Sequence, residues 1–234
     1  MFFRVENLTK KFGDFTAVNE VSISFEKNII TAIIGPNGAG KTTFVNLCSG
    51  LLKPTSGHIF FHGEDITNRK IHHRANMGIA RTFQIVNIFQ GLSVWENVKI
   101  PLLSRKNVKN LDDALNNLLA LFNLEDLKHT ISSELSHGDQ RLLEMSMALA
   151  LDPKLLFLDE PLAGINPQDR GIIIERIIEM KKRGITVIFI EHDIDSVLKM
   201  ADEIIVMHKG EIIAKGTPNK IKDNEFVKEV YLGG

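Results

Sequence analysis

Gly35-Pro36-Asn37-Gly38-Ala39-Gly40-Lys41-Thr42 is the stretch of sequence that decides the fold. It fits the pattern G-x-x-x-x-G-K-[S/T], in which glycines let the backbone curl until successive N–H groups point at phosphate oxygens. Residues 29–34 are apolar and β-branched, which predicts a buried strand before the loop, and residues 43–48 predict a helix after it. In this setting Lys41 adds a full positive charge and the helix N-terminus a partial one. The alternative is a plain glycine-rich turn before a structural helix.

The composition favours one large domain without disulfides. The chain has 234 residues and is 44% hydrophobic, which is enough for a sizeable core. Its formal net charge is -1 with no long block of like charge, which argues against nucleic acid as the main partner. Cys48 is the single cysteine and suits a reducing compartment. No apolar run in the sequence is long enough for a membrane span, and we see no secretory signal, so we expect a soluble protein that reaches a membrane through a partner.

Strand and helix patterns follow one another as in a parallel α/β core interrupted by a helical insert. Strands are predicted over residues 2–8, 21–25, 29–34, 58–61, 77–83, 155–158, 186–190 and 204–207. Helices are predicted over residues 111–122, from Ser136 to about residue 150, and over residues 167–183 and 194–200. Turns are predicted at residues 10–13, 54–57 and 63–65.

Two acids, Asp159 and Glu160, end the apolar run of residues 155–158. A buried strand of an open sheet delivers such residues to the edge where ligands bind. We therefore predict that Asp159 supports a magnesium ion, together with the Thr42 hydroxyl, and that Glu160 polarises an attacking water. A strand that ends in a solvated turn, broken by Pro161, is the alternative.

The stretch Leu135-Ser136-His137-Gly138 opens a second helix of interest. Ser136 is a plausible N-cap for the helix behind it. In one interpretation, Ser136 only caps the helix. In the other, the N-terminus of the helix also faces an anion, with its free N–H groups and its dipole.

In their order and spacing, these motifs resemble the ATP-binding subunits of the ABC transporter family, over nearly the whole chain. Three shorter stretches add to the resemblance. Arg81-Thr82-Phe83-Gln84 resembles the Q-loop, Ile190-Glu191-His192-Asp193 resembles the switch segment, and Lys11-Phe12-Gly13 resembles the adenine-stacking loop. Phe12 stands where tyrosine is commoner, and Phe15 is its rival for the stacking role. His137, Asp139 and Asn166 depart from the commoner residues of the family motifs.

The resemblance implies an α/β fold of the P-loop NTPase class, with a RecA-like parallel core, an antiparallel β subdomain and a helical insert. It implies a single ABC ATPase domain over residues 1–234. Within it, residues 1–83 and 155–216 would form the catalytic core with the β subdomain. Residues 84–154 would form the helical subdomain, and residues 217–234 a C-terminal tail.

The resemblance also assigns roles to residues, with ATP and Mg²⁺ as cofactors. The catalytic residues would be Lys41, Gln84, Glu160 and His192. The residues in contact with the nucleotide would be Phe12, Gly35, Pro36, Asn37, Gly38, Ala39, Gly40, Lys41, Thr42, Thr43, Ser136 and Gly138. The metal would be held by Thr42, Gln84 and Asp159.

The implied partners are a second ATPase subunit, integral membrane permeases and, indirectly, a solute-binding protein, at the cytoplasmic face of the membrane. The ATPase partner, the same chain or a sister chain, would bind head to tail, so that each ATP lies between residues 35–43 of one copy and residues 136–138 of the other. Residues 84–90, with Leu92, Val94 and Trp95, would line a groove for a permease helix, or else form ordinary core.

Several phrases look like those of branched-chain amino acid importers, among them Arg81-Thr82-Phe83-Gln84 and the end of the chain from Lys215 to Gly233. We therefore expect an ATPase that powers import of branched-chain or other hydrophobic amino acids. The alternatives are a urea or amide importer of the same group, a soluble non-transport ABC ATPase, or a nucleotide-binding regulator that does not hydrolyse ATP.

Overall fold

The computed structural model describes residues 1–105 and 108–232, so Gly233 and Gly234 of the predicted tail lie outside the described residues. Its strands are β1 (Phe3–Phe12), β2 (Phe15–Phe25), β3 (Ile30–Ile34), β4 (Ser56–Phe61), β5 (Glu64–Asp65), β6 (Ile79–Arg81), β7 (Leu155–Asp159), β8 (Thr186–Ile190), β9 (Glu203–His208) and β10 (Glu211–Gly216). Its α-helices are α1 (Lys41–Ser49), α2 (Ile71–Asn76), α3 (Val94–Leu103), α4 (Leu111–Leu121), α5 (His137–Ala150), α6 (Pro167–Lys182), α7 (Ile194–Met200), α8 (Pro218–Lys222) and α9 (Glu225–Leu232). None of the helices in these described ranges is both long and apolar enough to cross a bilayer.

The predicted strands and helices are confirmed, with three corrections at turns. The turn predicted at residues 54–57 is too long, because β4 already begins at Ser56. The turn predicted at residues 10–13 is wrong, because β1 continues to Phe12 and pairs there with Phe15 of β2. Only Gly13 and Asp14 remain to connect the two strands. The turn predicted at residues 63–65 contains the short strand β5, which pairs with the end of β4. All three errors have one cause: a local pattern does not reveal the partner strand that prolongs a ladder.

The strands form two sheets. A six-stranded sheet has the order β10-β9-β3-β8-β7-β6, in which all neighbours are parallel except the edge pair of β10 and β9. A four-stranded antiparallel sheet has the order β2-β1-β4-β5. The predicted α/β class, with a parallel core and an antiparallel β layer, is thereby confirmed.

The parallel sheet is buried on both faces, so its strands are continuous apolar runs. On one face, Phe157 of β7 packs with Phe3 of β1, the ring centroids lying 5.9 Å apart at an edge-on angle. Alternate residues of the same strand, such as Leu156, face a second core that includes Met145 of α5 and Ile173 of α6. Cys48 of α1 is fully buried in the first core, and this burial raises the pKa of its thiol.

The strands β3, β8, β7 and β6 are adjacent and parallel, so their carboxyl ends lie along one edge of the sheet. The glycine-rich loop follows β3, Glu191 and His192 follow β8, and Glu160 follows β7. Gln84 comes three residues after the end of β6. The topology therefore gathers all four segments at the same edge.

Candidate active site

The glycine-rich loop is held by close backbone contacts that exclude side chains. A Cβ atom on Gly35 would lie 2.1 Å from the carbonyl oxygen of Met207, and one on Gly40 would lie 2.2 Å from that of Ala17. Helix α1 then begins at Lys41, whose Nζ donates to the carbonyl oxygens of Gly35 and Pro36 at 2.7 and 3.0 Å. Burial lowers the pKa of Lys41 below its ordinary value.

A cavity of about 250 Å³ lies over the loop and the first turn of α1. It is lined by Phe15, Ala17, Asn37, Gly38, Ala39, Gly40, Lys41, Thr42, Thr43, Glu160 and His192. Backbone N–H groups at the start of a helix and the Lys41 ammonium make this cavity suitable for phosphate groups. Gly35 and Pro36 border it only indirectly, through the carbonyl oxygens that hold Lys41.

Glu160 is the point at which three of the predicted catalytic residues meet. Its Oε1 lies 2.6 Å from Nε2 of His192, and its Oε2 accepts a hydrogen bond of 3.0 Å from Nε2 of Gln84. Its backbone has a φ of 47°, in the left-handed region, and its N–H donates to the carbonyl oxygen of Ile190 at 3.1 Å. A non-glycine residue held there costs about 1–3 kcal/mol, and such residues cluster at active sites.

Asp159 is buried beside Glu160. Its Oδ2 accepts from Nη2 of Arg81 at 3.2 Å, while its Oδ1 is buried without a hydrogen-bond partner. Burial raises the pKa of Asp159, and the Arg81 guanidinium opposes this effect.

The unpartnered Asp159 oxygen, the Thr42 hydroxyl and the Gln84 amide oxygen make a donor set that fits Mg²⁺. Within residues 1–105 and 108–232 no group of three or more His, Cys, Asp or Glu side chains is placed to hold a metal. This agrees with the usual Mg²⁺ site, in which one or two carboxylates act together with substrate phosphates.

Glu191 supports both halves of the catalytic group, and the sequence motifs alone did not single it out. It is buried, its Oε1 accepts from the backbone N–H of Leu162 at 3.0 Å, and its Oε2 accepts from that of His192 at 2.9 Å. Glu191 thereby connects the loop that follows Glu160 with His192, whose side chain contacts Glu160. An acid directly after the apolar strand β8 is the signal that a closer sequence reading would use.

Ser136 caps α5, as predicted. Its Oγ accepts from the backbone N–H of Asp139 at 3.1 Å and donates to the Asp139 carboxylate at 2.6 Å. Gly138 lies against α6, where a Cβ atom would be 2.9 Å from a carboxylate oxygen of Asp169. Neither Ser136 nor Gly138 lines the cavity described above, so a single chain does not bring them to the phosphate loop.

A buried ion pair on α5 forms hydrogen bonds with the backbone on both sides of Gln84. Arg141 donates to Oε2 of Glu144 at 2.7 Å, and it also donates to the carbonyl oxygens of Phe83 and Gln84 at 2.8 and 2.9 Å. Oε1 of Glu144 accepts from the N–H groups of Phe83 and Asn87, both at 3.2 Å. Burial raises the pKa of Glu144, against the effect of Arg141. Sequence analysis missed this pair, whose signal is two charges on an otherwise apolar helix face.

The two aromatic candidates for adenine stacking face each other across the turn between β1 and β2. Phe15 lines the cavity, whereas Phe12 is not among its lining residues. Phe12 is about half exposed, and the Lys10 ammonium lies 5.1 Å from its ring centroid. The stacking role predicted for Phe12 remains a prediction, with Phe15 nearer to the phosphate loop.

Residues 18–163 match the family model described as ABC transporter. The chain belongs to the ABC transporter family. It is 40% identical to the probable branched-chain amino acid transport ATP-binding protein LivG of Archaeoglobus fulgidus, over 98% of this chain and 95% of that relative. It is 36% identical to the lipopolysaccharide export system ATP-binding protein LptB of Haemophilus influenzae, over 97% of this chain and 95% of that relative.

The same family accounts for the fold. An ATP-binding cassette of an ABC transporter, solved in its ADP conformation, superposes with a TM-score of 0.89 at 35% identity, over 100% of this chain and 99% of that one. The protein is therefore an ATP-binding subunit of an ABC transporter, and its ATP hydrolysis is coupled to transport. The predicted family and the predicted ATPase activity are both confirmed.

Proposed function

We propose that this chain powers the import of branched-chain or other hydrophobic amino acids, by hydrolysing ATP with Mg²⁺ at the Glu160 cavity. The observation that supports ATP chemistry there is the meeting of Glu160, His192 and Gln84 beside the phosphate loop. The choice of solute is supported by the similarity to the Archaeoglobus fulgidus protein LivG.

In the proposed reaction, Glu160 accepts a hydrogen bond from the attacking water and orients it toward the γ-phosphate. Lys41 leaves the carbonyl oxygens of Gly35 and Pro36 to pair with phosphate, and His192 contacts the γ-phosphate. Thr42, Gln84 and Asp159 would hold Mg²⁺, which neutralises charge on the phosphates when it is bound. Most of the rate enhancement then comes from positioning and charge stabilisation.

The proposed assembly is a head-to-tail dimer. The N-terminus of α5, with Ser136 and Gly138, would complete the nucleotide site of a second copy or of a sister chain. The support is that a 14-residue helix presents its first turn away from the cavity of its own chain, at a motif that resembles the family signature. Free N–H groups there suit the γ-phosphate of a neighbouring ATP. Loss of that phosphate removes the shared charge, and the dimer opens.

For a permease, we propose docking at an exposed apolar patch on the segment after Gln84, where Ile85 and Phe89 are 83% and 49% exposed. The patch directly follows Gln84 in the chain, so a movement of a permease bound there would reach Glu160 through the hydrogen bond of Gln84. Val94, which the sequence suggested for this groove, is instead fully buried in the core. The patch would lie on the proposed helical subdomain of residues 84–154, facing the membrane from the cytoplasmic side. Residues 1–83 and 155–216 would form the remaining catalytic core.

The experiment isolates the affinity-tagged chain from detergent-solubilised membranes and identifies the copurifying membrane proteins. The recovered complex is then placed in liposomes with its solute-binding protein. ATP-driven uptake is measured for labelled leucine, valine and urea. Uptake of leucine or valine supports the proposal. Uptake of urea alone contradicts it and assigns the chain to the urea and amide importers instead. Recovery without any membrane protein contradicts a transport role.

Export is the second candidate, because the chain is 36% identical to the lipopolysaccharide export protein LptB. The copurifying proteins separate the two candidates. Permeases that form a complex with a solute-binding protein support import. A complex that extracts lipid from the liposome and takes up no solute supports export.

A further inference from the structure

Arg81 is a buried cation to which the Q-loop resemblance assigns no role and which the proposed reaction does not use. Its side chain is 5% exposed. Its guanidinium reaches two elements that lie far apart in sequence. On β7 it donates from Nη2 to Oδ2 of Asp159 at 3.2 Å, and on α1 it donates from Nη1 to Oδ1 of Asn46 and to Oγ of Ser49. Its Cζ also lies 4.7 Å from the ring centroid of Phe83, which stacks beside it.

The two partners on α1 share a helix face with Thr42. Thr42, Asn46 and Ser49 are spaced by four and three residues, so they lie in a row along α1. Arg81 therefore bonds to the same face of α1 that carries one proposed metal ligand, and to the carboxylate that provides another. Gln84, the third proposed ligand, follows Arg81 on the same segment.

The contact with Asp159 also decides which of its oxygens is free. Oδ2 is taken by Arg81, while Oδ1 is buried and has no partner. A buried carboxylate oxygen without a partner costs free energy unless a ligand satisfies it. A group that fixes one carboxylate oxygen and leaves the other for a metal is typical of the outer contacts of metal sites.

We propose that Arg81 is a positioning residue for the Mg²⁺ site: it fixes α1 against β7 and leaves Oδ1 of Asp159 as the oxygen available to the metal. This inference rests on the proposed Mg²⁺ role of Thr42 and Asp159. In this role Arg81 acts through Asp159 and α1 and not by direct contact with the metal. Its planar fork is needed because it serves Asn46 and Asp159 from two different nitrogens, which an ammonium group cannot reproduce.

The test measures the affinity for a fluorescent ATP analogue in excess Mg²⁺ and again in excess EDTA. The ratio of the two affinities reports the contribution of the metal and does not depend on turnover. We expect this ratio to be lower by about tenfold or more in Arg81→Met than in the wild type, as for other outer contacts of metal sites. We expect Arg81→Lys to lie between Arg81→Met and the wild type. Because Arg81→Lys keeps a charge opposite Asp159, it also serves as the test if Arg81→Met does not fold.

The matched control is Arg74→Met. Arg74 is 1% exposed and, like Arg81, bonds to α1, through the carbonyl oxygens of Leu47 and Cys48 at 3.0 and 2.8 Å. It makes no hydrogen bond to Asp159 in the described chain. Both variants lower the thermal midpoint, but only the Arg81 variants should change the Mg²⁺ ratio. An unchanged ratio in the Arg81 variants, or an equal loss in Arg74→Met, overturns the proposal. Absence of any Mg²⁺ effect in the wild type overturns the proposed metal site, and this inference with it.

Discussion

Glu160 combines a left-handed backbone conformation with a central position in the candidate active site. Its φ of 47° places the side chain between Gln84 and His192, where an ordinary continuation of β7 would not bring it. The conformation is stabilised by neighbours, since its N–H bonds to Ile190 and the buried Glu191 fixes the next turn through Leu162. The strained residue is therefore held by the end of β8, the strand that also delivers His192.

Replacing Glu160 by Gln should preserve ATP binding and slow turnover. The amide keeps the shape of the side chain but cannot act as a base, so we expect steady-state phosphate release to fall by about 10²–10⁴-fold. ATP affinity should stay within a few-fold of the wild type. Phosphate release and nucleotide binding are measured on the same preparation. Glu179→Gln, a change at a surface ion pair of α6, is the control, and normal hydrolysis by Glu160→Gln would contradict the assigned role.

The adenine contact can be tested by removing both aromatic rings near the phosphate loop. We expect the double variant Phe12→Ala with Phe15→Ala to weaken ATP binding by about 1–3 kcal/mol, which is the usual value of stacking a base on an aromatic side chain. Binding of tripolyphosphate, which has no base, should not change. The single variants then show which ring stacks. Equal ATP affinity in the double variant and the wild type would remove both candidates.

At this scale, the sequence predicts the residues that line the cavity over the phosphate loop, but it does not predict the residues that hold them in place. Lys41, Glu160 and His192 belong to short local patterns next to predicted strands, so a sequence window contains the whole signal. Arg81 acts through Asp159, 78 positions further along the chain. Arg141 and Glu144 act through backbone groups 57 to 61 positions away. No local pattern encodes such pairs, because the sheet topology creates them.

Among the elements, α5 stands out because its first two turns serve different parts of the site. Its first turn carries Ser136 and Gly138, and its next turn carries the Arg141–Glu144 pair that grips the backbone around Gln84. Any shift of α5 would be transmitted to Gln84 through these buried hydrogen bonds. The helix therefore connects the proposed dimer contact with the residue that reaches Glu160.

Breaking this pair should destabilise the protein strongly. Glu144→Ala leaves the Arg141 charge buried and two backbone N–H groups without acceptors, so we expect a loss of about 3–5 kcal/mol in the free energy of unfolding. Urea denaturation followed by circular dichroism measures it. Glu179→Ala, which removes the surface ion pairs with Lys182 and Arg183, should cost no more than about 1 kcal/mol. A loss below that value in Glu144→Ala would show that the pair does not clamp the segment.

For the whole molecule, the proposed assembly completes the site only when a second copy or a sister chain supplies the N-terminus of α5. We expect Glu160→Gln to be monomeric without nucleotide and dimeric with ATP and Mg²⁺, because the uncleaved γ-phosphate continues to bridge the two surfaces. Light scattering coupled to size exclusion measures the mass in both conditions. ADP in place of ATP is the control and should leave monomers. A dimer that forms equally with ADP would contradict a bridge through the γ-phosphate.

The apolar patch gives a second prediction for the assembled molecule. Phe89→Glu places a charge at a half-exposed aromatic position on the segment after Gln84, so we expect it to abolish copurification with the permease. Hydrolysis by the isolated chain should stay within about twofold of the wild type, since Phe89 does not line the nucleotide cavity. Ile71→Glu, at an exposed apolar position on α2, is the matched control. Retention of the permease by Phe89→Glu would move the docking site elsewhere.

The burial of Cys48 has a practical consequence for such measurements. The single thiol of the chain is enclosed in the core behind the phosphate loop, and its raised pKa keeps it protonated. Maleimide dyes and spin labels should therefore leave the folded wild-type chain unmodified. A cysteine introduced at Asn37 or His137 would be the sole reactive position. Distances between two labelled copies could thus be recorded through the ATP cycle without removing the natural cysteine.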